Sequence, residues 1–584
     1  MTRPCLLLSA LLLTACQSRD GYFGRVKKPA ARRMVFENSI EPSTLDPQTM
    51  LSMNEIYIAD CLFASLVRLH PVTLEPTADL ATHYERNADA TRFVFYLRGN
   101  PHPKGTRLPN LNDMAEQFRS GKINEDLARG HRAPPDSVPA LWSDGRPVTA
   151  HDFVYSWRRL YDPKTASVPA TYSAYVRNSP EILAGKRKPS ELGVRALDDW
   201  TLEVDLVRST EFFPVLLDNA PFFTVPRQAI EAAQARGRPE SWMDARHIVT
   251  NGAFLLSEWN PYERIVVRRN PNYWEPGMPG LDELVFLPVS DNLTNVNLYR
   301  AGEADRLEIP PAYIPSLRRM RDHRSTPMLD PHYITINTSK PPLDNVLLRY
   351  ALNMSIDKKQ VAKVYNGDQI PARTLGVPAL GYEPPAHVPV TVQGRTFDVT
   401  SYDPAEARQL LAMAGFPGGK KQNGEPLRLD YLYTTGYPMG EDLSEVLRQQ
   451  WHENLGIELL TAKMEASLFW AETAKGNYKG MAHTDANQWP DPVLLLDLFY
   501  GDNAAGTFWN AAPFTKLFNE AKGTVDRAAR IRKTAECDRL AMEGMALMPL
   551  VFNSRHNLYK PYVKGLPLNV ASVLRMKYAW VETD

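Results

Sequence analysis

Two hydrophobic periodicities alternate along most of this chain. Phe93-Val94-Phe95-Tyr96-Leu97 is a short aromatic and β-branched run, which predicts a strand. Between Thr149 and Tyr161 the apolar residues Phe153, Val154, Trp157 and Leu160 recur at helical spacing. Asp403-Pro404 sets an N-cap residue before a proline at the first helical position, and the pattern then runs to Gly415. Glu441 to Asn454 predicts another helix, with Gly456 to Leu460 as a strand behind it. The irregular alternation predicts a mixed α/β protein. Residues 101–140 break the pattern: Pro101, Pro103 and Gly105 signal turns, a polar helical piece follows from Leu111 to Arg129, and Pro134-Pro135 ends it. This stretch is expected to be a surface insertion.

The ends change the picture. Arg3 precedes an apolar run from Cys5 to Leu13, far short of the roughly 20 residues a spanning helix needs. It has the length of an export-signal core and ends at small residues. Leu13-Thr14-Ala15-Cys16 resembles the bacterial lipobox, so Cys16 is expected to carry a lipid and begin the processed protein. Residues 16–33 are basic and poor in apolar side chains, which predicts a flexible tether. Lys+Arg and Asp+Glu both number 67, so there is no basic field for nucleic acid. Cys61 and Cys537 are left after processing, and their spacing does not decide whether they pair.

Catalytic signals are missing. The chain has no Gly-x-Ser-x-Gly elbow and no His-Glu-x-x-His, and Gly415 to Lys420 lacks phosphate-loop spacing. None of the 12 histidines sits four residues from another His or Cys, so no metal site and no cofactor are expected. A carboxylate pair distant in sequence keeps an exported hydrolase open as one alternative.

Several ordered segments resemble the family-5 extracytoplasmic solute-binding proteins, the oligopeptide- and dipeptide-binding components of ABC importers. They are Glu41 to Gln48, Trp142-Ser143-Asp144-Gly145 through Trp157, Thr250 to Phe254 with Asn270 to Trp274, Arg349 to Asp357, Asp403-Pro404 with Ala414-Gly415-Phe416-Pro417, and Trp489-Pro490-Asp491-Pro492. Read physically these are scaffold. Gly145 supplies the positive φ of a turn, Thr149 caps a helix with Asp152 in its first turn, and Asn251-Gly252 turns into a strand.

The resemblance implies an α/β, two-lobed periplasmic-binding-protein clamshell, type II-like, with an additional subdomain. Lobe I would comprise residues 34–62, 192–307 and 553–584, the extra subdomain 63–191, and lobe II 308–552. The implied function is extracytoplasmic capture of an oligopeptide between the lobes and its delivery to ABC permease subunits. The receptor would be a lipid-anchored monomer without catalysis, in the periplasm or at the cell surface.

The resemblance also places the ligand. The family's Ala-Asp-Tyr-x-Asp-Pro segment, whose first Asp pairs with the ligand's ammonium, corresponds here to Asn487-Gln488-Trp489-Pro490-Asp491-Pro492. Gln488 accepts a hydrogen bond but cannot neutralise charge, and a buried ammonium without its counter-charge costs about 3–5 kcal/mol. Either Asp485 reaches in instead, or the ligand lacks a free amino terminus. Ser52, Met53 and Asn54 are further candidates for backbone contact, and Tyr333, Phe469 and Trp470 for side-chain pockets. A blocked peptide, cell-wall peptide, nickel chelate, opine or sugar remains an alternative ligand on the same scaffold.

Overall fold

The structure, a computed structural model, describes residues 21–110, 113, 134–275, 277–365, 369–435, 439–485, 490–499, 506–509 and 512–584. The chain forms two compact units. The first runs to Ser325 and resumes over His556–Asp584, and the second is Thr326–Arg555.

The first unit is built on a mixed sheet. Its Arg33–Glu37 strand runs parallel to Glu283–Leu287 and to Arg306–Glu308. Phe254–Asn260 and Arg264–Arg269 extend the sheet antiparallel on one side, and the end of Leu547–Tyr559 pairs with Arg306–Glu308 on the other. Met34, Phe36, Leu284, Phe286, Ile265 and Val267 alternate along these strands and join one core cluster, while Val266 and Val285 between them are buried outside it. Such a period-two pattern lets one face of a sheet form a core. The helix Met53–Leu62 covers that face through Tyr57, Ile58 and Leu62. Gly252 holds its position by close approach: an added Cβ would lie 2.4 Å from the Cys61 carbonyl oxygen.

A second, fully antiparallel sheet orders Thr106–Arg107, Ala81–Arg86, Arg92–Leu97, Thr201–Asp205 and Val194–Asp198. Phe93 and Phe95 meet Phe213 here, and Trp157 from the helix Ala150–Tyr161 packs edge-on against the same Phe213 ring. The helix begins as its sequence signals predict, with the Asp152 carboxylate accepting from Thr149 N at 2.8 Å. The strands at 194–205 complete the small sheet, so a subdomain boundary at 191 falls too early. The insertion contributes the edge strand Thr106–Arg107, while most of its helical piece, 111–112 and 114–133, lies outside the described residues.

The tether expectation needs correction from residue 21 onward. Phe23 is 2% exposed, packs with Val296, Leu307 and Leu558, and stacks on Tyr299. Its backbone N–H donates to Asp322 at 3.3 Å. A basic stretch low in apolar content reads as solvated, yet one aromatic was enough to dock it.

A charge network is buried in this unit. Arg68 reaches Asp60 at 3.0 Å and Asp79 at 3.2 Å. Arg575 reaches the same Asp60 at 2.5 Å and also pairs with Asp218. Lys577 pairs with Glu275 at 3.2 Å. Burial lowers the Lys577 affinity for its proton, but Glu275 and neighbouring acidic groups more than reverse this, leaving its pKa well above the ordinary value.

The second unit opens with a parallel pair, Arg428–Thr434 and Glu458–Met464. Parallel neighbours need a crossover, supplied by the helix Gly440–Leu455. That helix ends at Gly456, whose φ of 74° provides a left-handed cap. The helix Pro404–Met413 starts where its sequence predicts, with Asp403 accepting from Ala405 N and Glu406 N at 3.0 and 2.9 Å. Met481–Asp485 runs parallel to Arg428–Thr434 and antiparallel to His323–Ile336. Cys61 and Cys537 are both free and buried. Among the described residues, no helix is long and apolar enough to cross a membrane.

Candidate functional site

The ladder between His323–Ile336 and Met481–Asp485 pairs His332 with Asp485, Tyr333 with Thr484, and Ile334 with His483. Side chains alternate faces along a strand, and directly opposed residues share a face. His332, His483 and Asp485 therefore lie on one side, with Asp330 two residues behind His332 on that same side. Tyr333, Thr335 and Thr484 take the other, where the Thr335 and Thr484 hydroxyls meet at 2.7 Å.

The first face is a buried polar cluster. His332 Nδ1 lies 3.3 Å from His483 Nε2, and the Tyr365 hydroxyl lies 3.3 Å from each of those nitrogens. Asn553 Nδ2 donates to Asp330 Oδ2 at 3.0 Å. The other oxygen, Asp330 Oδ1, is buried with no hydrogen-bond partner. Asp330 and His332 are each 6% exposed and His483 is fully buried, whereas Asp485 is half-buried. One ligand atom from each of Asp330, His332 and Asp485 lies within 4.8 Å of the other two, so these three side chains could hold a metal ion.

The electrostatics follow from burial. The His332 imidazole is pushed down by desolvation despite the opposing pull of Asp330. His483 falls well below its ordinary value, first through burial and then through His332. Both rings are thus held neutral near pH 7. The Asp485 carboxyl is pushed up to about 7, first by burial and then by Asp330. The cluster gathers two carboxylates beside neutral imidazoles, and such a set of oxygen and nitrogen lone pairs favours a positive guest.

The sequence-predicted residues distribute unevenly. Asp485 is one of the three donors that the cluster brings within 4.8 Å. Asn487, Gln488 and Trp489 follow it immediately and lie outside the described residues, as does Cys16. Phe469 is fully buried and packs with Leu432, Tyr478 and Ala482. Tyr333 is 3% exposed, and its hydroxyl donates to the Asp485 carbonyl at 3.4 Å. Trp470 packs edge-on against Phe469 and keeps 47% exposure. Ser52 caps the helix Met53–Leu62, accepting from Glu55 N at 3.3 Å. Met53 packs on the core beneath, and the Asn54 amide donates to the Asn38 carbonyl. The described atoms of these three residues are thus engaged in anchoring the helix.

Asp330, His332 and His483 give no signal at the four-residue spacing of a helix. Asp330-Pro331-His332 and His483-Thr484-Asp485 each set a carboxylate and an imidazole two residues apart, which is the spacing that brings them together on a strand.

Comparison with known proteins matches residues 140–507 to bacterial extracellular solute-binding proteins, family 5 middle. The periplasmic oligopeptide-binding protein OppA of Salmonella typhimurium is 30% identical, over 96% of this chain and 94% of that protein. An Escherichia coli protein named as a probable deoxycholate-binding periplasmic protein, YgiS, is 28% identical over 93% of this chain and 92% of its own. Among solved structures, the Escherichia coli murein tripeptide binding protein MppA superposes with a TM-score of 0.70 and 25% identity, covering 95% of this chain and 99% of that one. The fold is accordingly the two-lobed periplasmic-binding-protein fold that the sequence predicts. This chain belongs to the family-5 bacterial extracellular solute-binding proteins.

Proposed function

We propose that this protein is the lipid-anchored receptor of an ABC importer, capturing oligopeptides outside the cytoplasm and passing them to the permease without chemical change. The observation that carries the reading is the match to an oligopeptide-binding protein at 30% identity over 96% of the chain, which spans scaffold and binding segments alike. The lipobox-like Leu13-Thr14-Ala15-Cys16 supports the anchor. Extended peptides suit such receptors because main-chain hydrogen bonds give affinity whatever the side chains. Native mass spectrometry of the purified full chain, followed by denaturing release and sequencing, tests this. A ladder of short peptides is the expected result, and a single non-peptide mass would overturn it.

Gln488 favours a second reading, in which the solute is a peptide with a blocked amino terminus or is not a standard peptide. The relative named for deoxycholate supports a wider range of solutes on this scaffold. Affinities for one peptide and its N-acetylated form decide the matter: equal binding supports the blocked ligand, and strong preference for the free amine excludes it.

A further inference from the structure

We propose that Asp330, His332 and Asp485 form a binding site for a divalent metal ion of the borderline class to which Zn2+ and Ni2+ belong. The site goes beyond solute capture, and its argument does not depend on which solute is bound.

The donor set comes first. One imidazole nitrogen and two carboxylate oxygens suit zinc, nickel and their neighbours, whereas calcium and magnesium take oxygen alone. The three ligand atoms lie within 4.8 Å of one another. A tetrahedral ion with donors at 2.0–2.2 Å spaces them roughly 3.4 Å apart. Contraction of at most about 1.4 Å would therefore complete the triangle, and Asp485, the last residue of its strand, is the most exposed of the three.

The supporting groups are arranged as metal ligands require. A metal-bound imidazole is ordinarily oriented through its second nitrogen. Here His483 Nε2 and the Tyr365 hydroxyl each stand 3.3 Å from His332 Nδ1. A metal-bound carboxylate is likewise braced, and Asn553 holds Asp330 through Oδ2 at 3.0 Å. This leaves Oδ1, which is buried without a hydrogen-bond partner. Desolvating that oxygen beside a second carboxylate is costly unless a cation joins them. An ammonium group would answer the carboxylates alone, while a metal ion also uses the neutral imidazole between them. Three protein donors leave a fourth place for water or for a donor atom of the solute.

The test is titration of ZnCl2 into the chelator-stripped, untagged full chain by isothermal calorimetry, with CoCl2 absorption spectra as an independent record of the donor set. The expected result is one equivalent of Zn2+ bound, with affinity reduced at least about tenfold in His332→Gln and in Asp485→Asn. Cobalt should give visible bands in the wild type that both variants lose. Ca2+ should not displace the zinc. Asp485→Asn, half-buried and isosteric, keeps the test decisive should His332→Gln fail to fold. No binding by the wild type, or one equivalent bound unchanged in Asp485→Asn, would overturn the proposal.

Discussion

In the first unit, Arg68 and Arg575 share Asp60 between them and reach on to Asp79 and Asp218, while Lys577 takes Glu275. In the second unit, Asp485 faces the carboxylate of Asp330 and an imidazole that burial holds neutral. Both clusters take ionisable groups out of water, at a cost that only partners offset. In the first, each acid meets a cation of the chain itself, so the cluster is complete and its work is architectural. In the second, two carboxylates are gathered with an imidazole within 4.8 Å, and on the proposal above a metal ion joins them. Burial alone therefore does not mark a functional site, but donors of like charge brought within ligand distance point to one.

Removing one partner from the complete network should have the largest effect. Arg575→Met removes the hydrogen-bonded cation of buried Asp218 and leaves Asp60 to Arg68 alone, and about 3–5 kcal/mol of stability is expected to be lost, read from urea denaturation. Asp485→Asn in chelator-stripped protein should show the opposite, no loss at pH 7.5, since it relieves repulsion with Asp330. A loss as large as that of Arg575→Met would show that both clusters are structural.

The buried lysines sharpen the contrast by their pH dependence. Lys358 in the second unit donates to the Ala372 carbonyl at 2.8 Å, and its pKa is lowered to about 7, first by burial and then by Arg373. Its folded pKa lies below the unfolded one, so the unfolded chain binds more protons between them and stability rises with pH from about 7 towards 10. Lys358→Met should abolish this rise, as stability measured at pH 7 and pH 9.5 would reveal. For Lys577 the shift is upward, so its stabilising contribution is already complete at pH 7 and is lost only above the unfolded pKa.

The smallest effect concerns Ser52. Ser52→Ala should cost about 0.5–2 kcal/mol, the usual value of an N-cap, while leaving solute affinity unchanged in titration calorimetry. Reduced affinity at unchanged stability would return Ser52 to the binding surface.

Much of this was legible in residue order because it depends on near neighbours. The Asp403 cap and the Thr149–Asp152 helix start are local devices, and they stand where their residues predict, whereas Gly456, expected to open a strand, is the left-handed cap of the helix before it. What escaped was decided by distant partners. Phe469 and Trp470 are adjacent, yet one is enclosed and the other half-exposed, a difference set by Leu432 and Tyr478 far along the chain. Phe23 docks because Tyr299 and Leu558 meet it. The Asp330–His332–Asp485 cluster needed the strand register, since its halves lie about 150 residues apart in the chain.

Arg575 and Lys577 are made long after Asp60, Asp79, Asp218 and Glu275, the acids they pair with. The second unit is an uninterrupted segment ending at Arg555, but the first must wait for residues 556–584 to follow it. Until then its interior holds an excess of acids that water has to solvate. Synthesis of Arg575 and Lys577 is thus the event that lets this half close, and a copy cut short before them would carry its own signature for proteolytic removal: a core that cannot dry.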